Sequence, residues 1–385
     1  MAAGPVGDVM VQAPAPARLI EGGLPTDATV AQVLVSKYAD HLPLYRQAQI
    51  YGRQGIALDR STLADWVGRA AWLLRPVHER LLATLKTSTK LFADETTAPV
   101  LDPGRGRTKS GQLWAYARRS AMGGPEPPGV AYVYAPDRKA ERPIAHLAGF
   151  KGVLQVDGYA GYRVLAERGD VTLAFCWAHV RRRFYELAAA GPAPIATEAL
   201  TLIAKLYAVE NGIRGKSADE RRAIRQEKSR PLADNLEPWL RAKLNLISQK
   251  TKLAEAIRYA LSRWEGLTRF LDDGRIEIDS NVVERAIRPI ALNRKNALFA
   301  GSDGGGEHWA VIASLIETCK LAGIEPQAYL TDVITKMSTP IPTGASTNCC
   351  PGPIPPHHVS KTWPENIAYA GTISRRGVFL RHAAP

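Results

Sequence analysis

The chain has 385 residues, with 50 Lys and Arg against 37 Asp and Glu, a formal charge of +13 and four cysteines. That length accommodates two or three domains with real cores, and the positive balance favours a polyanionic partner. No apolar run approaches the roughly 18–20 residues of a membrane span, and no basic stretch followed by an apolar one marks a signal peptide. Cys176, Cys319, Cys349 and Cys350 form no C-x-x-C pair, so neither a disulfide framework nor a four-cysteine zinc site is supported. A reducing compartment containing DNA or RNA fits these totals.

Residues 1–26 are rich in Ala, Pro and Gly and read as an extended lead-in. Residues 27–88 are helical, with helices over 28–40 and 43–53, a turn around Gly55 and a third helix from about Ser61. The arrangement is like a helix-turn-helix capped by Asp59 or Ser61, with Arg60, Ser61 and Thr62 at the entering end of the second helix. The same helix–Gly–helix pattern also occurs in plain bundles. Trp66, Trp72 and Leu73 are expected in the core.

At Leu91 the period changes to two. LFADETTAPVLD, GQLWAYARR and GVAYVYAPDR read as three strands of an antiparallel meander joined by Gly-rich connections. A helix over 141–150, the strand GVLQVD ending at Asp157, a helix over 162–168 and the strand VTLAFCWAH follow. The order β-β-β-α-β-α-β is that of the ribonuclease H-like α/β fold, a mixed sheet with helices on its faces. The expected core is therefore 89–184 with 275–302, interrupted by a helical insertion over 185–274. Within the insertion, Leu253, Ile257, Ala260, Leu261, Trp264, Leu267 and Leu271 form an apolar stripe that reads as core. A helical module spans 303–337. Residues 338–385 have no periodicity, and a one-base shift of their back-translation restores a more regular ending, so they read as a frameshifted or disordered tail.

Three carboxylates stand in comparable places: Asp94 in the first strand, Asp157 at the end of a later one and Glu284 at a helix start. Asp94 and Glu95 are adjacent in a strand and face opposite sides, and Asp94 is chosen for the site. Such an oxygen cluster suits Mg²⁺ or Mn²⁺ in phosphodiester chemistry, with two ions about 3.5–4 Å apart. Asn281 and Glu284 have capping-box spacing, and Pro289 is expected to stop or kink the helix. Arg285, Arg288, Arg294 and Lys295 trail Glu284, and Arg181, Arg182 and Arg183 follow the pair Cys176 and His179. These cations are candidates for holding DNA phosphates. Cys176 and His179 alone do not make a zinc site, and His179 is an auxiliary candidate near the acids.

The segments LFADETTAPVLDPGRGRTKSGQLWAY, LQVDGYAGY, CWAHVRRRFYEL and IDSNVVERAIRPIALNRKNALFAGSDGG resemble consecutive blocks of the insertion-sequence sixty-six family of bacterial transposases. The resemblance covers about 11–337. It implies a DDE catalytic core in which Asp94, Asp157 and Glu284 bind metal, with Cys176 and His179 matching the C-x-x-H found near the second acid of several DDE groups. It further implies a bacterial cytoplasmic, nucleoid-associated protein acting on transposon ends and target DNA, as a homo-oligomer and with accessory proteins of the same element. Family members usually carry an N-terminal coiled coil and a cysteine-rich zinc-type module that this chain is expected to lack, along with the family's usual ending. A truncated, defective copy is therefore one expectation. The alternatives are a ribonuclease H-like nuclease or resolvase, and a remnant that binds DNA without cutting it.

Overall fold

The computed structural model describes residues 17–102, 104–119, 126–167 and 169–339. Most of the lead-in, the connection over 120–125 and the tail from 340, with Cys349 and Cys350, lie outside the described residues. Five strands form one mixed sheet: β1 (Lys90–Asp102), β2 (Arg107–Arg118), β3 (Gly129–Ala135), β4 (Gly152–Val156) and β5 (Val171–Phe175). Their order is β3-β2-β1-β4-β5. The first three make an antiparallel meander, while β4 lies parallel to β1 and β5 parallel to β4.

Three helices precede the sheet: α1 (Asp27–Tyr38), α2 (Leu44–Arg53) and α3 (Arg60–Lys86). Two more cross between strands, α4 (Glu141–His146) and α5 (Arg163–Glu167). After β5 come α6 (Trp177–Ala189), α7 (Pro194–Gly212), α8 (Ala218–Ile224), α9 (Arg230–Asn245), α10 (Lys252–Leu261) and α11 (Trp264–Thr268). The described chain ends with α12 (Asn281–Ala297), α13 (Asp303–Ala322) and α14 (Pro326–Ser338). Among the described residues no helix is long and apolar enough to cross a membrane.

One hydrophobic cluster joins α1 and α3 to the sheet, α12, α13 and α14, so the N-terminal helices share the sheet's core. Trp66 is buried in it, whereas Trp72 is 73% exposed, contrary to the core position expected for it. The 27-residue α3 explains the difference, because only one stripe of so long a helix can face inward. α13 is more central than an appended module. Its Ser314 Oγ accepts the N–H of Tyr132 at 2.7 Å, its Thr318 Oγ1 accepts that of Val130 at 3.1 Å, and His78 Nε2 on α3 meets Tyr132 O at 2.8 Å. These side chains satisfy the outer edge of β3, which would otherwise offer unpaired backbone groups. The helix can come so close because Gly306 lies against the Tyr134 ring, where a Cβ would sit 2.7 Å from ring carbons.

The helical region 185–274 builds a second cluster with Ile257, Ala260, Leu267 and Leu271 inside it, as their spacing predicts. Arg225 is fully buried there. Its Nε and Nη2 donate to the Glu210 carboxylate at 2.7 and 2.6 Å, and its Nη1 donates to Phe270 O at 2.8 Å and Ile276 O at 3.0 Å. A buried charge is tolerable only when paired and hydrogen-bonded. The helical region thus grips the chain that leads into α12. Arg225→Met should cost about 3–5 kcal/mol, read from urea unfolding, by leaving Glu210 only the looser Arg221 contact at 3.7 Å. A loss below about 1 kcal/mol would show that the neighbouring Arg221 takes over the pairing.

Candidate active site

β1 and β4 pair in register, Lys90 with Val153, Leu91 with Leu154 and Phe92 with Gln155. Two places further along, that register sets Asp94 beside Asp157, the residue just past β4. Paired residues of neighbouring strands point to the same face, so strand pairing alone places both carboxylates together. Across the sheet, Asp94 lies opposite Ala115 and Ala115 opposite Tyr132. The small Ala115 leaves room for α12 on that face, and Tyr132 donates its hydroxyl to Ala286 O on α12 at 2.6 Å.

Glu95 points to the other face, opposite Trp114. Its carboxylate is nearly inaccessible, accepts from Arg138 Nε at 2.7 Å and meets Tyr162 Oη at 3.3 Å. Among the described residues no Lys or Arg is paired with Asp94, whose charged neighbour of opposite sign is His179. Burial first, then Asp157 and Glu95, raise its carboxyl to about 7. Asp157 is held from below: its Oδ1 accepts the N–H of Tyr159 at 2.9 Å, and its backbone carbonyl accepts the Tyr259 hydroxyl at 2.6 Å. Gly158, at φ +99°, turns the chain away where Arg263 crosses it.

Glu284 arrives on a different route. The amide of the fully buried Gln155 donates to Glu277 O at 2.7 Å and Asp279 O at 3.0 Å, and accepts from the Glu277 N–H at 3.3 Å. Trp177 N donates to Ile278 O at 3.0 Å, and Ser280 N donates to Cys176 Sγ at 3.2 Å. These contacts dock 277–280 between β4 and the start of α6, so α12 begins beside Cys176 and His179.

The expected Asn281–Glu284 capping box is absent. Ser280 occupies the cap position with no side-chain cap bond. The Asn281 amide donates instead to Asp279 at 2.6 Å. Because Ser280 is the cap and Cys176 already takes its N–H, Glu284 has no capping bond to make and faces His179. Pro289 does not stop the helix either. α12 runs through it to Ala297, held by the buried Val283, Ala286, Ile290 and Asn293.

Cys176 and His179 lie beyond the end of β5, with Cys176 at the cap of α6 and His179 in its first turn. They were expected at the end of a strand, but the strand stops at Phe175. His179 Nε2 is 3.3 Å from Glu284 Oε1. This polar contact raises the imidazole's pKa and lowers that of the Glu284 carboxyl, with Asp157 and Asp94 adding to the rise on His179. The N–H direction departs from the line a hydrogen bond needs, which leaves the buried Nε2 without an aligned partner. His179 is therefore the common neighbour of all three acids, and Cys176 Sγ lies within 4.8 Å of the His179 and Glu284 ligand atoms.

The candidate cations divide. Arg181, Arg182, Arg183, Arg285, Arg288 and Lys295 are exposed. Glu284, Arg288 and Lys295 fall near one stripe of α12, about 16 Å long at 1.5 Å per residue. Arg183 stacks on the Tyr259 ring at 4.0 Å. Arg294 is turned inward and donates to Thr97 on β1, so it braces α12 against the strand. Two cations beside the acids were missed in the sequence. Arg263 donates to Gly158 O at 3.2 Å and lies 3.9 Å from the Tyr259 ring centre, and Arg138 serves Glu95. No motif spacing ties either to Asp157.

The model of the family described as Transposase IS66 family matches residues 22–308, and the IS66 C-terminal element matches 314–343. The chain belongs to the IS66 transposase family. Among curated relatives, the uncharacterized proteins y4qI and y4jD of Sinorhizobium fredii are each 48% identical to it. The matches cover 86% and 85% of this chain and 63% and 66% of the relatives. A third, y4hP of the same organism, is 38% identical over 86% of the chain and 63% of its own length. The chain thus spans about two thirds or less of the length of the relatives it matches.

In the metal-free protein a raised Asp94 pKa penalises folding above the ordinary aspartate range, and the penalty is complete above about pH 7. Asp94→Asn should therefore raise Tm by a few degrees near pH 8 and leave it unchanged near pH 4. Equal shifts at both pH values in differential scanning fluorimetry would mean that charge is not the cause.

Proposed function

We propose that residues 89–184 with 275–302 form a ribonuclease H-like DDE core that cuts transposon ends and joins them to target DNA. Asp94, Asp157 and Glu284 are its metal-binding acids. The observation that carries the reading is Asp94, a buried carboxyl beside Asp157 with no Lys or Arg paired to it among the described residues. The sheet order and the family membership support it. The donor set is all carboxylate oxygen, which fits Mg²⁺ or Mn²⁺. Two such ions, when bound, would supply a water activated near neutral pH and stabilise the departing oxygen.

The remaining roles belong to the chain. Asp94 and Asp157 are fixed by strand register, and Glu284 by the docked segment before α12. His179 attracts Glu284 and holds its carboxylate toward the pair. Arg181, Arg182, Arg183, Arg285, Arg288 and Lys295 hold the DNA backbone, and Arg294 and Asn281 position α12. A water cuts the end, and the freed 3′-OH attacks target DNA without a covalent protein–DNA intermediate. Arg60, Ser61 and Thr62, at the start of α3, belong to the proposed DNA-reading unit. A homo-oligomer on DNA, accessory proteins of the same element and a nucleoid location complete the reading.

Purified protein is incubated with a pre-cut transposon-end oligonucleotide, a target plasmid and Mn²⁺. Joined product is expected. Nicks alone would indicate a nuclease, and shifted but intact DNA a binding-only protein. Asp157→Asn should abolish both cutting and joining while changing DNA affinity by no more than about twofold, because phosphate contacts rest on other residues. Normal cutting by that variant would remove Asp157 from the site. With about 6–10 phosphates held, affinity should fall by about 10³–10⁵ between roughly 50 and 200 mM salt in fluorescence anisotropy.

A further inference from the structure

The first turns of α6 and α12 face each other and present three ligand atoms of mixed softness. Cys176 Sγ, His179 Nε2 and a Glu284 carboxylate oxygen all lie within 4.8 Å of one another. Cys176 is buried at 1% exposure, and His179 Nε2 is a buried nitrogen without an aligned partner. The 3.3 Å from His179 Nε2 to Glu284 Oε1 is itself informative. Bonds of about 2.0–2.1 Å at the tetrahedral angle set nitrogen and oxygen about 3.3–3.4 Å apart, as in a zinc site with three protein ligands and one open position. Mg²⁺ avoids sulfur, whereas a thiolate–imidazole–carboxylate set suits Zn²⁺ and Co²⁺.

We propose that Cys176, His179 and Glu284 form a second metal site, specific for a thiophilic divalent ion, that shares Glu284 with the carboxylate site. On binding, the thiol proton leaves to solvent and the sulfur becomes a ligand. The regulatory part rests on the function proposed above. An ion held here draws Glu284 away from Asp94 and Asp157, so Zn²⁺ holds the core inactive and its removal releases it. The Ser280 N–H donated to Cys176 Sγ at 3.2 Å favours a charged sulfur and ties the site to the start of α12.

The test uses full-length protein stripped of metal and carrying Cys349→Ser and Cys350→Ser, so that tail thiols do not contribute. Titration with Co²⁺ is expected to give a near-ultraviolet thiolate-to-cobalt band and intense visible bands of tetrahedral Co²⁺, all displaced by Zn²⁺. Cys176→Ser should lose the charge-transfer band, while Asp94→Asn keeps it. No such band in the parent protein, or its survival in Cys176→Ser, overturns the site. Should Cys176→Ser not fold, Glu284→Gln must weaken Co²⁺ binding about tenfold or more, since losing even an outer-shell partner costs 10–100-fold. Unchanged affinity in that variant overturns the site equally. These readouts need no strand transfer, so failure of the transposase reading leaves them interpretable. In joining assays with Mg²⁺, Zn²⁺ should inhibit the parent more strongly than Cys176→Ser, each relative to its own zinc-free rate. Equal inhibition overturns the regulatory part alone.

Discussion

The placement of α12 against the sheet depends on a single buried amide. Parallel pairing of β1 and β4 brings Asp94 and Asp157 together without further help, because register and face alternation are properties of the sheet. Glu284 has no such guarantee, since a long helical region separates it from the strands. Gln155 supplies the link. It sits on β4 two residues before Asp157 and spends its amide on the backbone of Glu277 and Asp279. One strand therefore carries an acid at its end and the bracket for the third acid in its middle. A buried amide left without these partners would cost a full desolvation penalty, so the docking of 277–279 is coupled to the integrity of the sheet.

Around that bracket, charge is arranged by face. On one side of β1, Glu95 is neutralised by Arg138 beneath an aromatic cluster of Trp114, Tyr159 and Tyr162. On the other side Asp94 meets Asp157 with no Lys or Arg paired to either among the described residues, and burial with this repulsion raises its pKa. A fold that needed only stability would reverse this arrangement or place an arginine there. Arg263 comes near but binds the Gly158 carbonyl and the Tyr259 ring, leaving the acids open to an ion. Like-charged groups held together in this way cluster at functional sites.

Much of this was legible in the chain. Period-two alternation from Leu91 located the strands, the helical stripe around Ile257 located the second core, and the order of elements located Asp94 and Asp157. What sequence could not supply were the contacts made over long separations. Asn281 and Glu284 have the spacing of a capping box, but the cap moved to Ser280, whose N–H is already taken by Cys176, a residue on another helix. Pro289 reads as a helix stop or kink because local rules ignore the packing that keeps α12 helical through it to Ala297. Trp72 reads as core because periodicity does not reveal how much of a 27-residue helix is covered. Arg263 and Arg138 carry no motif at all, and only the fold brings them beside the acids.

Cys176 and His179 show how a local reading can be correct yet incomplete. Two ligands without a second pair do not bind zinc, and nothing near them in the chain adds a third. The docking of 277–280 supplies it, since these contacts bring Glu284 up to the sulfur and the imidazole. One carboxylate then completes a soft mixed donor set. His179 feels Glu284 and, more weakly, Asp157 and Asp94. Both proposed sites therefore turn on one helix start, which the docking of 277–280 holds against Cys176 and His179.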